Sequence, residues 1–315
     1  MPTLLGQVAP PGSTIGIVTP GSPPESRAEV QRGIAWWKEQ GYEARLMPGA
    51  LEIDDWHAGS PATRARDLQQ AFADPEIDAI QTMRGGYGSA QVIPLLDLDA
   101  IAAQPKAFIG SSDITALHSA FNRLGLATFY GPSLTMVGTP GPPAVTTERL
   151  LRVLAGETTG EVPPDPDRLT VIGIAPGRAS GRLIGGCLGD LVYTIGTPWE
   201  FDLDGAIFFF EEGGLAPIRL DRALLYLDQI GKLRGVRGIV VGEMAGGEWH
   251  EWTSSPRSKT VENVLIDRLG HLGVPILYGL PLGHGASLVT VPLGVQATVD
   301  ADALTLTIDE PALAS

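Results

Sequence analysis

Two adjacent serines lie in the stretch Lys106-Ala-Phe-Ile-Gly-Ser-Ser-Asp-Ile-Thr-Ala-Leu-His118, after a short apolar run at 108–110 and before Ile114, Leu117, Phe121 and Leu124, which repeat at helical spacing. A serine at such a strand-to-helix corner presents its hydroxyl at the carboxyl edge of a sheet, where open α/β folds build their sites. The first amides of the helix then face it as donors for an oxyanion. This is the logic of a nucleophile elbow without the Gly-x-Ser-x-Gly spelling. The plainer reading is that Ser112 or Asp113 caps the helix; the two are compatible. Arg84-Gly-Gly-Tyr-Gly-Ser89 follows another apolar run and reaches the same edge. Its glycines suit a close backbone approach, as an amide donor to a carbonyl oxygen or a phosphate cradle, or else simply a tight turn. It is not a Gly-x-Gly-x-x-Gly fingerprint and no Walker lysine follows, which argues against a nucleotide cofactor.

A base and an acid are also on offer. Gly279-Leu-Pro-Leu-Gly-His-Gly285 sets His284 in a glycine-flanked loop just past a strand, where a side chain can be aimed into a cleft. Glu211 and Glu212 finish the apolar run Ile207-Phe-Phe-Phe210, as a capped edge or as a catalytic orienter. His57, His250 and His271 fall in loop-like or helix-end settings that suit solvated histidines, and His118 reads as a partly buried structural residue. No His-x-x-x-His, cysteine pair or Glu-x-x-His is present, and Glu248-Trp-His250-Glu251 reads as a solvated loop, so no metal centre is expected. Serine, carboxylate and histidine thus occur in the chain order of the α/β-hydrolases.

Such a constellation needs rigid elements. The first half alternates strand-like runs (15–18, 44–47, 77–83, 108–110) with helical stretches, the pattern of βα units on a parallel sheet. Ser60-Pro61 is a helix start, with Ser as N-cap and Pro at N1. Gly156-Glu-Thr-Thr-Gly-Glu-Val-Pro-Pro-Asp-Pro-Asp167 reads as a semi-rigid spacer. The expected organisation is therefore an N-terminal α/β domain over 1–158, a linker over 159–178 and a mixed α/β domain over 179–315. The last carries strands at 206–210, 236–241 and 275–280 and helices at 219–230 and 260–269. It ends in an antiparallel hairpin, where 295–299 and 304–308 alternate around Asp300-Ala301-Asp302-Ala303.

Composition narrows the function classes. The chain has 315 residues, 43% of them hydrophobic and 18% charged, which suits a globular protein. Its formal net charge of −14 repels phosphate polymers, so nucleic acid and anionic membranes are poor partners. Cys187, the single cysteine, closes no intrachain disulfide. The start Met-Pro-Thr-Leu-Leu-Gly lacks signal-peptide character, and no apolar run spans a bilayer; the cytoplasm is the expected compartment.

The stretches Arg84-Gly-Gly-Tyr-Gly-Ser89, Phe108-Ile-Gly-Ser-Ser-Asp-Ile-Thr-Ala-Leu-His118, Gly131-Pro132, Gly185-Gly-Cys-Leu188, Gly196-Thr-Pro198, Phe210-Glu-Glu212, Pro217-Ile-Arg-Leu-Asp-Arg222 and Gly283-His284 resemble, in that order, the serine LD-carboxypeptidase family. That family includes muramoyltetrapeptide carboxypeptidases and microcin C immunity peptidases. The resemblance runs over residues 15–294. Where the family's corner carries an aromatic residue before the nucleophile, this chain has Ser111; Ser112, directly before Asp-Ile-Thr, is the matching serine.

The resemblance implies a two-domain, cofactor-free hydrolase with Ser112 as nucleophile, His284 as base and Glu211 as the acid that orients it, Glu212 being the fallback. Amides of Gly86 and Asp113 would hold the oxyanion. Arg84 would pair with a substrate carboxylate or, equally, form a structural salt bridge. The implied reaction is release of terminal D-alanine from a cell-wall recycling tetrapeptide. The immunity relatives instead cleave an aminoacyl nucleotide amide and stack the base on a tryptophan before the Gly-Ser/Thr-Pro turn. Here that position is Ile195, with Trp199 just beyond the turn as a substitute platform. A homodimer is also expected. Outside the enzymes, the same layout fits a non-catalytic small-ligand-binding protein, which the serine, acid and histidine set and the missing export signal argue against.

Overall fold

The computed structural model describes residues 3–165, 171–214, 216–245 and 260–315. The N-terminal half runs β1 (Gly6–Gln7), β2 (Thr14–Val18), α1 (Arg27–Glu39), β3 (Glu43–Leu46), α2 (Pro61–Ala73), β4 (Ala79–Thr82), α3 (Leu98–Ala103), β5 (Ala107–Gly110), α4 (Thr115–Arg123), β6 (Thr128–Tyr130), α5 (Leu134–Val137) and α6 (Ala144–Leu154). Strands β3, β2, β4, β5 and β6 lie side by side and all parallel. Local chemistry starts the helices, at α2 as the sequence predicts. Ser60 accepts from the Thr63 amide with Pro61 in the first turn of α2, and Ser26 and Glu29 close a capping box on α1.

The C-terminal half runs β7 (Gly160–Glu161), β8 (Ile172–Ala175), β9 (Arg178–Cys187), α7 (Leu188–Thr194), β10 (Ile207–Gly213), α8 (Pro217–Gln229), β11 (Gly238–Ala245), α9 (Val261–Leu269), β12 (Ile276–Gly283), β13 (Val291–Leu293), β14 (Gln296–Asp300), β15 (Thr305–Ile308) and β16 (Leu313–Ala314). Among the described residues its sheet has the order β7-β15-β14-β9-β10-β11-β12-β8. The centre, β9 to β12, is parallel, and β14–β15 is the expected antiparallel hairpin. The molecule is thus mixed α/β, with a parallel N-terminal sheet.

Two features depart from the expected layout. The stretch read as a spacer supplies edge strands: β7 pairs with β15 and β8 with β12. Strands this short at a sheet edge need little hydrophobic patterning, so composition alone hides them. Residues 166–170 of that spacer, and the Glu248-Trp-His250-Glu251 segment, lie outside the described residues. The C-terminal half also returns to the N-terminal sheet, where β13 pairs antiparallel with β6, Val291 opposite Tyr130.

That return is matched by shared packing. One buried cluster joins Ile15, Ile109, Phe129 and Tyr130 of the first half to Leu183, Phe209, Val240 and Leu277 of the second. A second cluster lies under α7, α8 and α9 and includes Phe208, Phe210, Ile239 and Val241. Strand β10 is therefore buried on both faces, with Ile207 and Phe209 turned toward the N-terminal half and Phe208 and Phe210 away from it. The alternation decides where the next two residues point. Among the described residues no helix is long and apolar enough to cross a membrane.

Candidate active site

The corner after β5 brings Ser112 to the carboxyl edge of the parallel sheet. Ser111 is extended and buried, whereas Ser112 takes φ +61° and is part-exposed. A left-handed serine is held against its preference, at a cost on the order of 1–3 kcal/mol that the surroundings must offset. Its main-chain N–H donates to the Tyr130 hydroxyl at 3.0 Å. Gly85 packs so closely that a Cβ there would lie 2.7 Å from that of Ser112. Neither Ser112 nor Asp113 caps the helix through its side chain. Asp113 is turned the other way, accepting from the amides of Gly88 at 3.2 Å and Ser89 at 2.9 Å, and Ser89 in turn donates its hydroxyl to the Asp113 carbonyl. Buried Arg64 donates to the carbonyls of Pro20 and Gly88 and to Gln91. The glycine loop is thereby fixed against the serine corner, with Gly86 at φ +95° beside Ser112 in the cleft.

From the other half, β12 ends at Gly283 and delivers His284. Its Nε2 lies 3.1 Å from Ser112 Oγ, and its Nδ1 lies 2.8 Å from Glu211 Oε2, which also accepts the His284 main-chain N–H at 3.0 Å. Glu211 follows the β10 alternation of Ile207 and Phe209 and so faces the N-terminal half, fully buried. Glu212 points the opposite way and accepts from the Cys187 thiol and the amides of Gly189 and Gly213. Two glycines make room. A Cβ on Gly213 would come 2.7 Å from the His284 ring, and one on Gly283 would run into the Glu211 carboxylate.

The electrostatics suit proton transfer. The hydrogen bond to Glu211 holds the His284 imidazole above its ordinary pKa, against the opposing effect of burial. Burial, then the charge of Glu211, pushes the Tyr130 hydroxyl well up, so it stays protonated and donates to Glu211. Burial raises Asp190 to about 7, with Asp113 adding to the effect.

The serine and histidine open onto a cleft of about 270 Å³ lined also by Arg84, Gly85, Gly86 and Met136. His284 keeps 34% of its side chain exposed, enough to meet a substrate. Arg84 stands in this cleft, 3.0 Å from Glu25, whose side chain is 76% exposed. Trp199 does not line the cleft: it packs against the hydrophobic cluster of the N-terminal half, and its carbonyl accepts from Ser119. Ile195 packs into the cluster under α7 and α8. Of the remaining histidines, His118 is wholly buried, bonded through Nε2 to the Gly110 carbonyl and driven by burial to about 4. His271 is exposed beside Asp228. His57 departs from the solvated setting expected of it: its Nε2 is buried, and its ring lies near Trp56 and Tyr87. His250 lies outside the described residues. Among the described residues no cluster of three metal-ligating side chains occurs. Tyr130 was not anticipated; its one sequence signal is its place before Gly131-Pro132, at the end of a strand neighbouring β5.

Residues 15–131 match the LD-carboxypeptidase N-terminal domain, and residues 180–299 match the LD-carboxypeptidase C-terminal domain. The chain belongs to the LD-carboxypeptidase family. A putative carboxypeptidase of Streptomyces coelicolor is 38% identical over 312 residues, covering 97% of this chain and 96% of that protein. A murein tetrapeptide carboxypeptidase of Pseudomonas aeruginosa is 34% identical over 260 residues, 78% of this chain and 80% of its own. Among solved structures, that of MccF in complex with glutamyl sulfamoyl guanosine superposes with a TM-score of 0.90 at 25% identity, over 99% of this chain and 100% of that one. At family level this LD-carboxypeptidase is a peptide hydrolase acting at chain ends.

Proposed function

We propose that the protein is a serine LD-carboxypeptidase that releases the terminal D-alanine of a muropeptide tetrapeptide, with Ser112 as nucleophile, His284 as base and Glu211 as orienting acid. The observation that carries this reading is the hydrogen-bonded series from Ser112 Oγ through His284 Nε2 and Nδ1 to Glu211, made between the two halves at the edge of an open cleft. In this mechanism His284 takes the Ser112 proton as the hydroxyl attacks the scissile carbonyl. Glu211 fixes the tautomer with Nδ1 protonated and stabilises the imidazolium. The amides of Gly86 and Asp113 hold the oxyanion. His284 then protonates the departing amine of D-alanine, and water, activated by the same imidazole, frees the acyl-enzyme.

Arg84 binds the substrate's terminal carboxylate. Its present partner Glu25 is exposed, and pairs of that kind are worth roughly 0–1 kcal/mol, little enough for a bidentate substrate carboxylate to displace. The relative named for murein tetrapeptide supports this substrate class. The second reading, cleavage of an aminoacyl nucleotide amide, is favoured by the likeness to MccF. Against it stand Ile195 and Trp199, both packed into hydrophobic clusters rather than presented in the cleft as a stacking face. Incubation with muramoyl tetrapeptide and, separately, with processed microcin, with products read by mass, distinguishes the two. Rapid loss of D-alanine from the tetrapeptide alone is expected, and turnover of the nucleotide substrate alone would reverse the assignment.

A further inference from the structure

Tyr130 ends β6, the strand beside β5, so it emerges at the sheet edge that carries Ser112. Its ring is fully buried, with centroids 5.3 Å from Phe209 and 5.9 Å from the His118 imidazole. The hydroxyl uses both of its capacities: it accepts the main-chain N–H of Ser112 at 3.0 Å and donates to Glu211 Oε1. The other oxygen of Glu211 takes both bonds from His284. One phenol therefore ties the backbone of the N-terminal half to the acid of the C-terminal half.

We propose that Tyr130 is a positioning residue of the catalytic relay, its hydroxyl holding Ser112 in the left-handed conformation and Glu211 with one oxygen toward His284. The inference rests on the reading of Ser112, His284 and Glu211 as that relay. Donor accounting follows from it. The Ser112 N–H is spent on the phenol oxygen and is not an oxyanion donor, which leaves that task to Gly86 and Asp113. Charge follows as well. A buried carboxylate needs donors, and the phenol supplies one on the side away from His284. By stabilising the carboxylate charge it moderates the pull of Glu211 on the imidazolium. Without the hydroxyl, His284 holds its proton to higher pH.

Tyr130→Phe keeps the ring and removes the hydroxyl. Turnover is expected to fall about 10- to 100-fold, as for a lost hydrogen bond to a charged group. The KM for tetrapeptide should hold, and the acid limb of kcat/KM should move to higher pH. Replacement of Tyr130 by 3,5-difluorotyrosine keeps the shape and strengthens the donor, so the limb should move to lower pH. This arm stays decisive if the phenylalanine variant does not fold. Glu212, Asp190 and Cys187, the other titratable groups acting on His284 and Tyr130, are the same in both variants. Wild-type limbs in both, with turnover within about twofold, would overturn the inference even with Ser112→Ala inactive. Wild-type turnover by Ser112→Ala would instead remove the relay reading, and this inference with it.

Discussion

At the residue scale, one buried carboxylate is shared by the groups around it. Glu211 faces two donors, Tyr130 and His284, and through them it is coupled to both the backbone and the hydroxyl of Ser112. Because that carboxylate raises the pKa of His284, and a general base must be neutral to act, kcat/KM should fall as pH drops through a midpoint above the ordinary histidine value of ~6.5. A pH profile with its acid midpoint below that value would contradict the assignment of His284 as base. The stability effect has the opposite sign. A group whose pKa is raised on folding adds stability below its unfolded pKa and loses that contribution as pH rises through the folded one. Moving from pH 6 to 8 should therefore raise activity while this one contribution to stability declines. Ser112, Glu211 and His284 were legible as candidates because each follows a recognisable strand end, while the choice of Ser112 over Ser111 and of Glu211 over Glu212 rested on the family resemblance. Tyr130 was not, because its role depends on a carboxylate 81 positions away.

At the scale of elements, strand ends and glycines place the groups. β10 selects Glu211 over Glu212 by its two-residue alternation, and β12 ends in a glycine at φ +128° that lets the next residue turn back over the acid. Gly283→Ala sets a side chain both in an unfavourable backbone region and against the Glu211 carboxylate. It should destabilise by roughly 1–3 kcal/mol and lose most activity. Urea denaturation alongside kinetics checks this, and a variant of wild-type stability and rate would show that the close approach is not needed. Helices such as α2 were readable from Ser60-Pro61, and β2, β4 and β5 from their apolar runs. The edge strands β7 and β8 and the returning β13 were not, since two to four residues carry too little pattern and their pairing is set by distant partners. The same reason hid the fate of Trp199, whose position near a turn gave no sign that a cluster under the N-terminal sheet would take it.

At the scale of the molecule, the two halves share a hydrophobic cluster, and the C-terminal half adds a strand to the N-terminal sheet. Because that cluster and the β13–β6 pairing tie the halves together, unfolding should be a single cooperative transition, with coincident curves from near-UV and far-UV circular dichroism. Two resolved transitions would show that the halves fold independently and that the relay depends on a looser docking. The relay itself is most directly tested by a serine-directed phosphonate mimicking the tetrapeptide end, with the adduct mapped by peptide mass spectrometry in the wild-type protein and in Ser112→Ala. A single stoichiometric adduct on Ser112 is expected, with labelling and D-alanine release both lost in the variant. An adduct on another residue, or D-alanine release undiminished in Ser112→Ala, is incompatible with Ser112 as the nucleophile.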